Sequence, residues 1–136
     1  MALETIESMD GLLSHGTIEV RDIAATREFF EDFLGLNVIQ PLKIAIYADT
    51  GGGWRLVCVR SGLKTKPQAR ENRFCLHVGN KETVLAAHAA ALQERDRYKI
   101  QEVEDVESSP AVTRFVLQDL NNVWWEISDL PKRPFD

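Results

Sequence analysis

Apolar and polar residues alternate over two short stretches of the chain, and each stretch runs into a helix signal. The first stretch reads His15-Gly16-Thr17-Ile18-Glu19-Val20-Arg21-Asp22, the second Arg73-Phe74-Cys75-Leu76-His77-Val78-Gly79-Asn80. Period-two alternation predicts half-buried strands, first at Leu12–Val20 and again at Arg73–Val78. Asp22 and Asn80 are good N-caps. The helix after Asp22 spans Ala24–Leu34 with Phe29, Phe30, Phe33 and Leu34 as its apolar stripe, and Gly35 ends it. The helix after Asn80 spans Lys81–Gln93 and is expected to bury Val84, Leu85, Ala91 and Leu92.

Each helix is followed by three strand signals. In the first half these are Leu36–Gln40, Lys43–Ala48 and Trp54–Arg60, with Asp49-Thr50-Gly51-Gly52-Gly53 as the tight connection before the last. In the second half they are Ile100–Val103, Val112–Gln118 and Val123–Ser128, with Asp119-Leu120-Asn121-Asn122 as the corresponding turn. Ser61–Asn72 reads as a polar linker. Residues 1–11 read as a loose lead-in and Pro131–Asp136 as an irregular tail. The order β-α-β-β-β therefore occurs twice, the mark of a duplicated unit. The fold class is α+β: two βαβββ modules, about 12–62 and 71–130, forming a curved mixed sheet around one cavity within a single domain of 136 residues.

Composition adds mainly exclusions. Hydrophobic residues make up 44% and charged residues 27%, the balance of an ordinary globular chain. A net charge of −5 argues against nucleic acid as a partner, since phosphate binding needs a basic patch. No apolar run approaches the roughly 20 residues that span a bilayer, so no membrane partner is expected. The start of the chain lacks a basic and then apolar leader, which predicts a cytoplasmic protein. Cys58 and Cys75 sit in strands without a CxxC spacing and read as buried, reduced thiols.

Two segments carry a family resemblance. His15…Asp22…Thr26-Arg27-Glu28-Phe29-Phe30-Glu31-Asp32-Phe33-Leu34-Gly35-Leu36 resembles the opening of the vicinal-oxygen-chelate superfamily. That superfamily includes glyoxalase I, type I extradiol dioxygenases, fosfomycin-resistance enzymes and bleomycin-resistance proteins. Asp119-Leu120-Asn121-Asn122-Val123-Trp124-Trp125-Glu126 resembles its D-P-D-G-N-x-x-E ending, with Leu120 in place of Pro and Asn122 in place of the turn Gly. Asn is the best non-glycine residue for a positive φ, so the turn should survive. The resemblance covers about residues 12–130.

The resemblance implies a metal site with up to four ligands, from the start of each first strand and from each last strand. His15 and Glu126 hold two of these places. Arg73 holds the third, and Leu56, seven residues after Asp49 as Glu126 is after Asp119, holds the fourth. Two protein ligands would hold Fe, Mn, Ni or Zn only weakly. Arg73 either pairs with Glu126, its neighbour in a βαβββ module, or binds an anionic substrate group. His77 and Glu126 are the candidates for proton transfer, although His77, four residues after Arg73, lies about 13 Å along the strand. Trp124 and Tyr47 are candidates for substrate contact, and His88, mid-helix among alanines, reads as structural.

The resemblance also implies a small-molecule ligand and a homodimer. Two functions compete. One is a glyoxalase- or dioxygenase-like enzyme, a lyase or dioxygenase, acting on a small oxygenated or aromatic molecule with a weakly held divalent ion. The other is a metal-free protein that sequesters its ligand, as bleomycin-resistance proteins do.

Overall fold

The computed structural model describes residues 14–51, 53–62 and 64–130. The lead-in, Leu12, Leu13 and the tail after Leu130 lie outside the described residues. The chain divides into two compact units between residues 63 and 64, and each repeats the same plan.

In the first unit, β1 (His15–Val20) leads to α1 (Ile23–Glu28), and β2 (Asn37–Leu42), β3 (Ala45–Asp49) and β4 (Arg55–Arg60) follow. The sheet order is β1-β4-β3-β2, with β1 parallel to β4 and the other neighbours antiparallel. Asp22 caps α1, its side chain accepting from the Ala25 amide at 3.0 Å. The helix does not stay α-helical to Leu34. Phe29–Phe33 forms a π-helical turn, closed by the Leu34 amide on the Phe29 carbonyl at 3.0 Å. The wider turn places the adjacent Phe29 and Phe30 both in the core, each fully buried. A buried Phe contributes roughly 1.5–3 kcal/mol by removal of apolar surface from water. Gly35 leaves the helix at φ +71°, a conformation that a side chain would strain.

The second unit runs β5 (Arg73–His77), α2 (Lys81–Gln93), α3 (Arg95–Tyr98), β6 (Glu102–Val103), β7 (Glu107–Ser108), β8 (Thr113–Gln118) and β9 (Trp124–Ser128). The sheet order is β5-β9-β8-β6, with β7 also pairing β8. Here too the first and last strands are parallel neighbours. Asn80 caps α2 through the Thr83 amide at 2.9 Å.

Alternation sorts each sheet into two faces. In the second unit Leu117, Phe115, Trp125 and Ile127 are buried on the side that α2 covers. Val84 and Ala91 of α2 are buried as expected, but Leu85 and Leu92 are 43% and 54% exposed. His88 explains the rotation of the helix. Its ring meets Phe115 edge-on at 5.0 Å, and its Nε2 lies 3.0 Å from the Glu104 carbonyl. These contacts turn the stripe Val84, His88, Ala91 inward and the two leucines outward. Cys58 is buried, whereas Cys75 is exposed on the polar face of its sheet.

Candidate functional site

The polar face of the second unit's sheet is built by register. Arg73 pairs with Trp124, Cys75 with Glu126 and His77 with Ser128, so all six side chains share one face. Arg114 and Val116 of β8 extend that face beside Ser128 and Glu126.

Glu126 lies at its centre and is only 4% exposed. Arg73 Nε and Nη2 both donate to Glu126 Oε1, at 3.0 and 2.8 Å. Arg114 Nη1 stands 3.8 Å from the same oxygen and, through Nε, 3.3 Å from Glu107. Cys75 Sγ donates to Glu126 Oε2 at 3.3 Å. The residue is exposed, but its sulfur turns in toward the carboxylate. Burial pushes the Cys75 thiol up, the Glu126 charge adds to that, and the Ser128 hydroxyl opposes it. Cys75 is thus held as a protonated donor, not a thiolate nucleophile.

A second ion pair flanks this one. Arg70 Nε and Nη2 reach the two oxygens of Glu104 at 2.5 and 2.6 Å, and hydrogen bonding to Arg70 holds Glu104 below the usual carboxylate range. Trp124 Nε1 donates to the Gln68 carbonyl at 3.0 Å, and Asn122 Nδ2 reaches the Thr65 carbonyl and hydroxyl, each at 2.9 Å. One edge of Trp124 is therefore engaged by the linker. His77 is exposed, its Nδ1 on the Leu130 carbonyl.

The turn before β9 is fixed by Asp119, which is fully buried. Its Oδ1 accepts from the amides of Asn121 and Val123 at 2.7 and 3.0 Å, and its Oδ2 from Trp125 Nε1 at 2.8 Å. Desolvation outweighs these donors and pushes the carboxyl up to about 6. Asn122 has a φ of +66°, the conformation expected of it at the glycine position.

In the first unit His15, Thr17 and Glu19 are exposed on one face of β1. His15 Nδ1 lies 2.9 Å from the Ser14 hydroxyl. His15 pairs with Arg55, and Thr17 with Val57. The strand ladders correct the position assigned to Leu56. His15 and Arg73 start their strands, and Glu126 lies opposite the second residue beyond Arg73; the same step in the first unit reaches Val57. Asp49 pairs with Arg55 as Gln118 pairs with Trp124, so Asp119 corresponds to Thr50 and not to Asp49. Leu56 is fully buried on the opposite face.

Of the four ligand places that the resemblance implies, two thus fall on Arg73 and Val57. A guanidinium has no free lone pair and stays protonated, and an isopropyl group offers no donor. Within neither unit do described His, Cys, Asp and Glu side chains gather in a group of three able to hold a metal ion. The residues present do not fit the superfamily's four-ligand site.

The first unit holds a cavity of about 520 Å³, lined among the described residues by Asn37, Ile39, Tyr47, Asp49, Gly53, Trp54 and Arg55. The register explains the grouping: Asn37, Asp49 and Arg55 stand in one row across β2, β3 and β4, with Ile39 and Tyr47 paired in the next. The Arg55 guanidinium lies over the Tyr47 ring, 5.6 Å from its centroid. Of these residues only Tyr47 stands out in the sequence as a ligand contact. The alternation within each strand puts the others on its face, but their meeting depends on a register that alternation alone does not fix.

The repeated βαβββ sheets, with parallel first and last strands, give the chain an α+β fold, and it shares that fold with solved structures that include glyoxalase-type and fosfomycin-resistance proteins. A glyoxalase/bleomycin resistance protein/dioxygenase from Alicyclobacillus acidocaldarius is 20% identical, with 85% of this chain and 89% of that one covered and a TM-score of 0.62. A lactoylglutathione lyase from Agrobacterium tumefaciens is 15% identical, with 89% and 94% covered and a TM-score of 0.60. A mutant of the fosfomycin resistance protein FosX from Listeria monocytogenes, complexed with Mn(II) and a dihydroxypropylphosphonic acid, is 14% identical, with 92% and 94% covered and a TM-score of 0.70. No family model and no curated protein matches the sequence. No helix among the described residues is long and apolar enough to cross a membrane.

Proposed function

We propose that this chain is a small-molecule-binding protein that works without the superfamily's metal, resembling its bleomycin-resistance branch. The observation that carries this reading is the Arg73–Glu126 fork. The carboxylate that would serve a metal is almost fully buried and neutralised by a guanidinium standing at another ligand's place. The positive charge that an ion would bring is supplied by the chain itself.

A second reading is a glyoxalase- or dioxygenase-like enzyme acting on a small oxygenated or aromatic molecule. It would hold Fe, Mn, Ni or Zn weakly through His15 and Glu126, with His77 or Glu126 moving protons. The exposed His15 ring supports it, as does the manganese complex of the FosX neighbour. Metal analysis separates the two. Dialysed protein is expected to carry little metal and to show no saturable site in a Mn(II) titration. A stoichiometric ion that is lost in the variant His15→Ala with Glu126→Ala would establish the second reading instead. Such binding should weaken in acid, because imidazole must be neutral to ligate.

We also propose that the chain pairs as a homodimer, a reading that rests on the resemblance. Light scattering should then give about twice the chain mass of 15.4 kDa, and a species near the single mass at micromolar concentration would refute it.

A further inference from the structure

We propose that the cavity of the first unit binds a small planar aromatic anion, a carboxylate by preference, with Arg55 as the charge that fixes it. This rests on the reading of the chain as a small-molecule binder and adds a ligand class and a location to it.

Arg55 makes no ion pair among the described residues. Asp49 is its cross-strand neighbour on β3, but the Asp49 Oδ1 accepts instead from the Gly51 amide at 2.8 Å and closes the turn. Arg73 and Arg114 on the polar face of the second sheet, and Arg70 in the linker, behave differently: each has a carboxylate partner. Among the described residues the Arg55 guanidinium lies on the Tyr47 ring, which steadies it without neutralising it. Its fork stays available for a planar, bidentate anion such as a carboxylate.

The rest of the lining fits the remainder of such a ligand. Tyr47 and Trp54 offer flat aromatic surface, and Ile39 offers an aliphatic one. Ile39 is 62% exposed, so part of its surface is open for a ligand to cover. Asn37, in the row of Asp49 and Arg55, can donate to or accept from a ring substituent. The volume lies within the range of about 300 to 1,000 Å³ common for ligand pockets, enough for one substituted ring.

The test uses salicylate as probe and salicylamide as its neutral counterpart, by equilibrium dialysis of the full chain with a chelator present. Salicylate should bind saturably, and salicylamide at least roughly tenfold more weakly, the scale of one charge-assisted contact. Arg55→Gln should weaken salicylate by a similar factor, and Tyr47→Ala should weaken it while Tyr47→Phe retains binding. Lys81→Gln, which removes the same charge from the start of α2, should leave it unchanged. Arg55 is exposed, so its replacement should keep the fold, and an unchanged melting temperature checks this.

Equal affinity in the wild type and Arg55→Gln, or no saturable binding of salicylate either with the chelator or with Mn(II) added, would overturn the proposal. The two readings fail separately. Arg55-dependent binding that appears only after Mn(II) is added would leave the pocket standing and remove the metal-independent reading. Binding indifferent to Arg55 with the chelator present would do the reverse.

Discussion

Asp119→Ala should lower the unfolding free energy of this chain by about 3–5 kcal/mol, the scale set by a buried polar network losing its acceptor. Three donors depend on that carboxylate: the amides of Asn121 and Val123 and the Trp125 indole. None of these residues is exposed, so water cannot readily replace the lost oxygens. The turn also sets the register of β9, which carries Glu126, so the effect should spread to the polar face of the sheet. A urea melt followed by tryptophan fluorescence checks it, and a loss below about 1 kcal/mol would mean that the turn is held by something else.

The same residue gives the chain a pH signature. Burial raises the folded-state value of Asp119 to about 6, above the ordinary aspartate value near 3.9. The folded chain therefore binds a proton that the unfolded chain releases between about pH 4 and 6, and Asp119 contributes its stabilising share at the acid end. That share is lost as the pH rises through about 6 and corresponds to roughly 3 kcal/mol. Glu104, held low by Arg70, works in the opposite direction in acid, so the raw stability curve mixes the two. The difference between the wild type and Asp119→Asn isolates the first. It should change between pH 4.5 and 7.5 in favour of the wild type at the lower pH, and a difference that stays constant would remove Asp119 from the account.

Much of the fold is legible because local signals and alternation agree. Asp22 and Asn80 cap helices, Gly35 and Asn122 take positive φ, and each first strand lies beside its last. Where the reading of the sequence departs from the structure, the cause is an interaction that crosses between elements. The Ala-rich α2 is apolar nearly all round, so its composition does not choose between Leu85 and His88 for the inner face; Phe115 and the Glu104 carbonyl choose. Two signals conflict at Cys75. Cysteine as a residue type favours burial, while its place between Arg73 and His77 puts it on the polar face, and the face prevails. Counting from the turns misplaces the partner of Glu126 by one residue, because Asp49 resembles Asp119 in type but not in ladder position. A one-residue slip moves a side chain to the other face, and so Leu56 lies in the core while Val57 stands on the opposite face of the sheet. The Arg55 cavity is least legible of all, because it needs three strands in register.

Arg73→Ala should cost about 3–5 kcal/mol at neutral pH, the range for breaking one side of a buried ion pair. Glu126, 4% exposed in the intact chain, would be left with Arg114 at 3.8 Å, a distance too long for a hydrogen bond. Arg114 is itself shared with Glu107, so it compensates only in part. Urea melts of the wild type and variant at neutral pH read the loss. Arg73→His asks the complementary question. It removes the fork and places an imidazole where the resemblance expects a ligand, beside a carboxylate that is then released. If the fork is what keeps a metal away, Mn(II) affinity should rise in Arg73→His and not in Arg73→Ala, since only the former adds a donor. A stable Arg73→Ala together with an Arg73→His that gains no metal would show that Arg73 neither neutralises Glu126 nor stands at a ligand place, and the metal-independent reading would lose the observation that carries it.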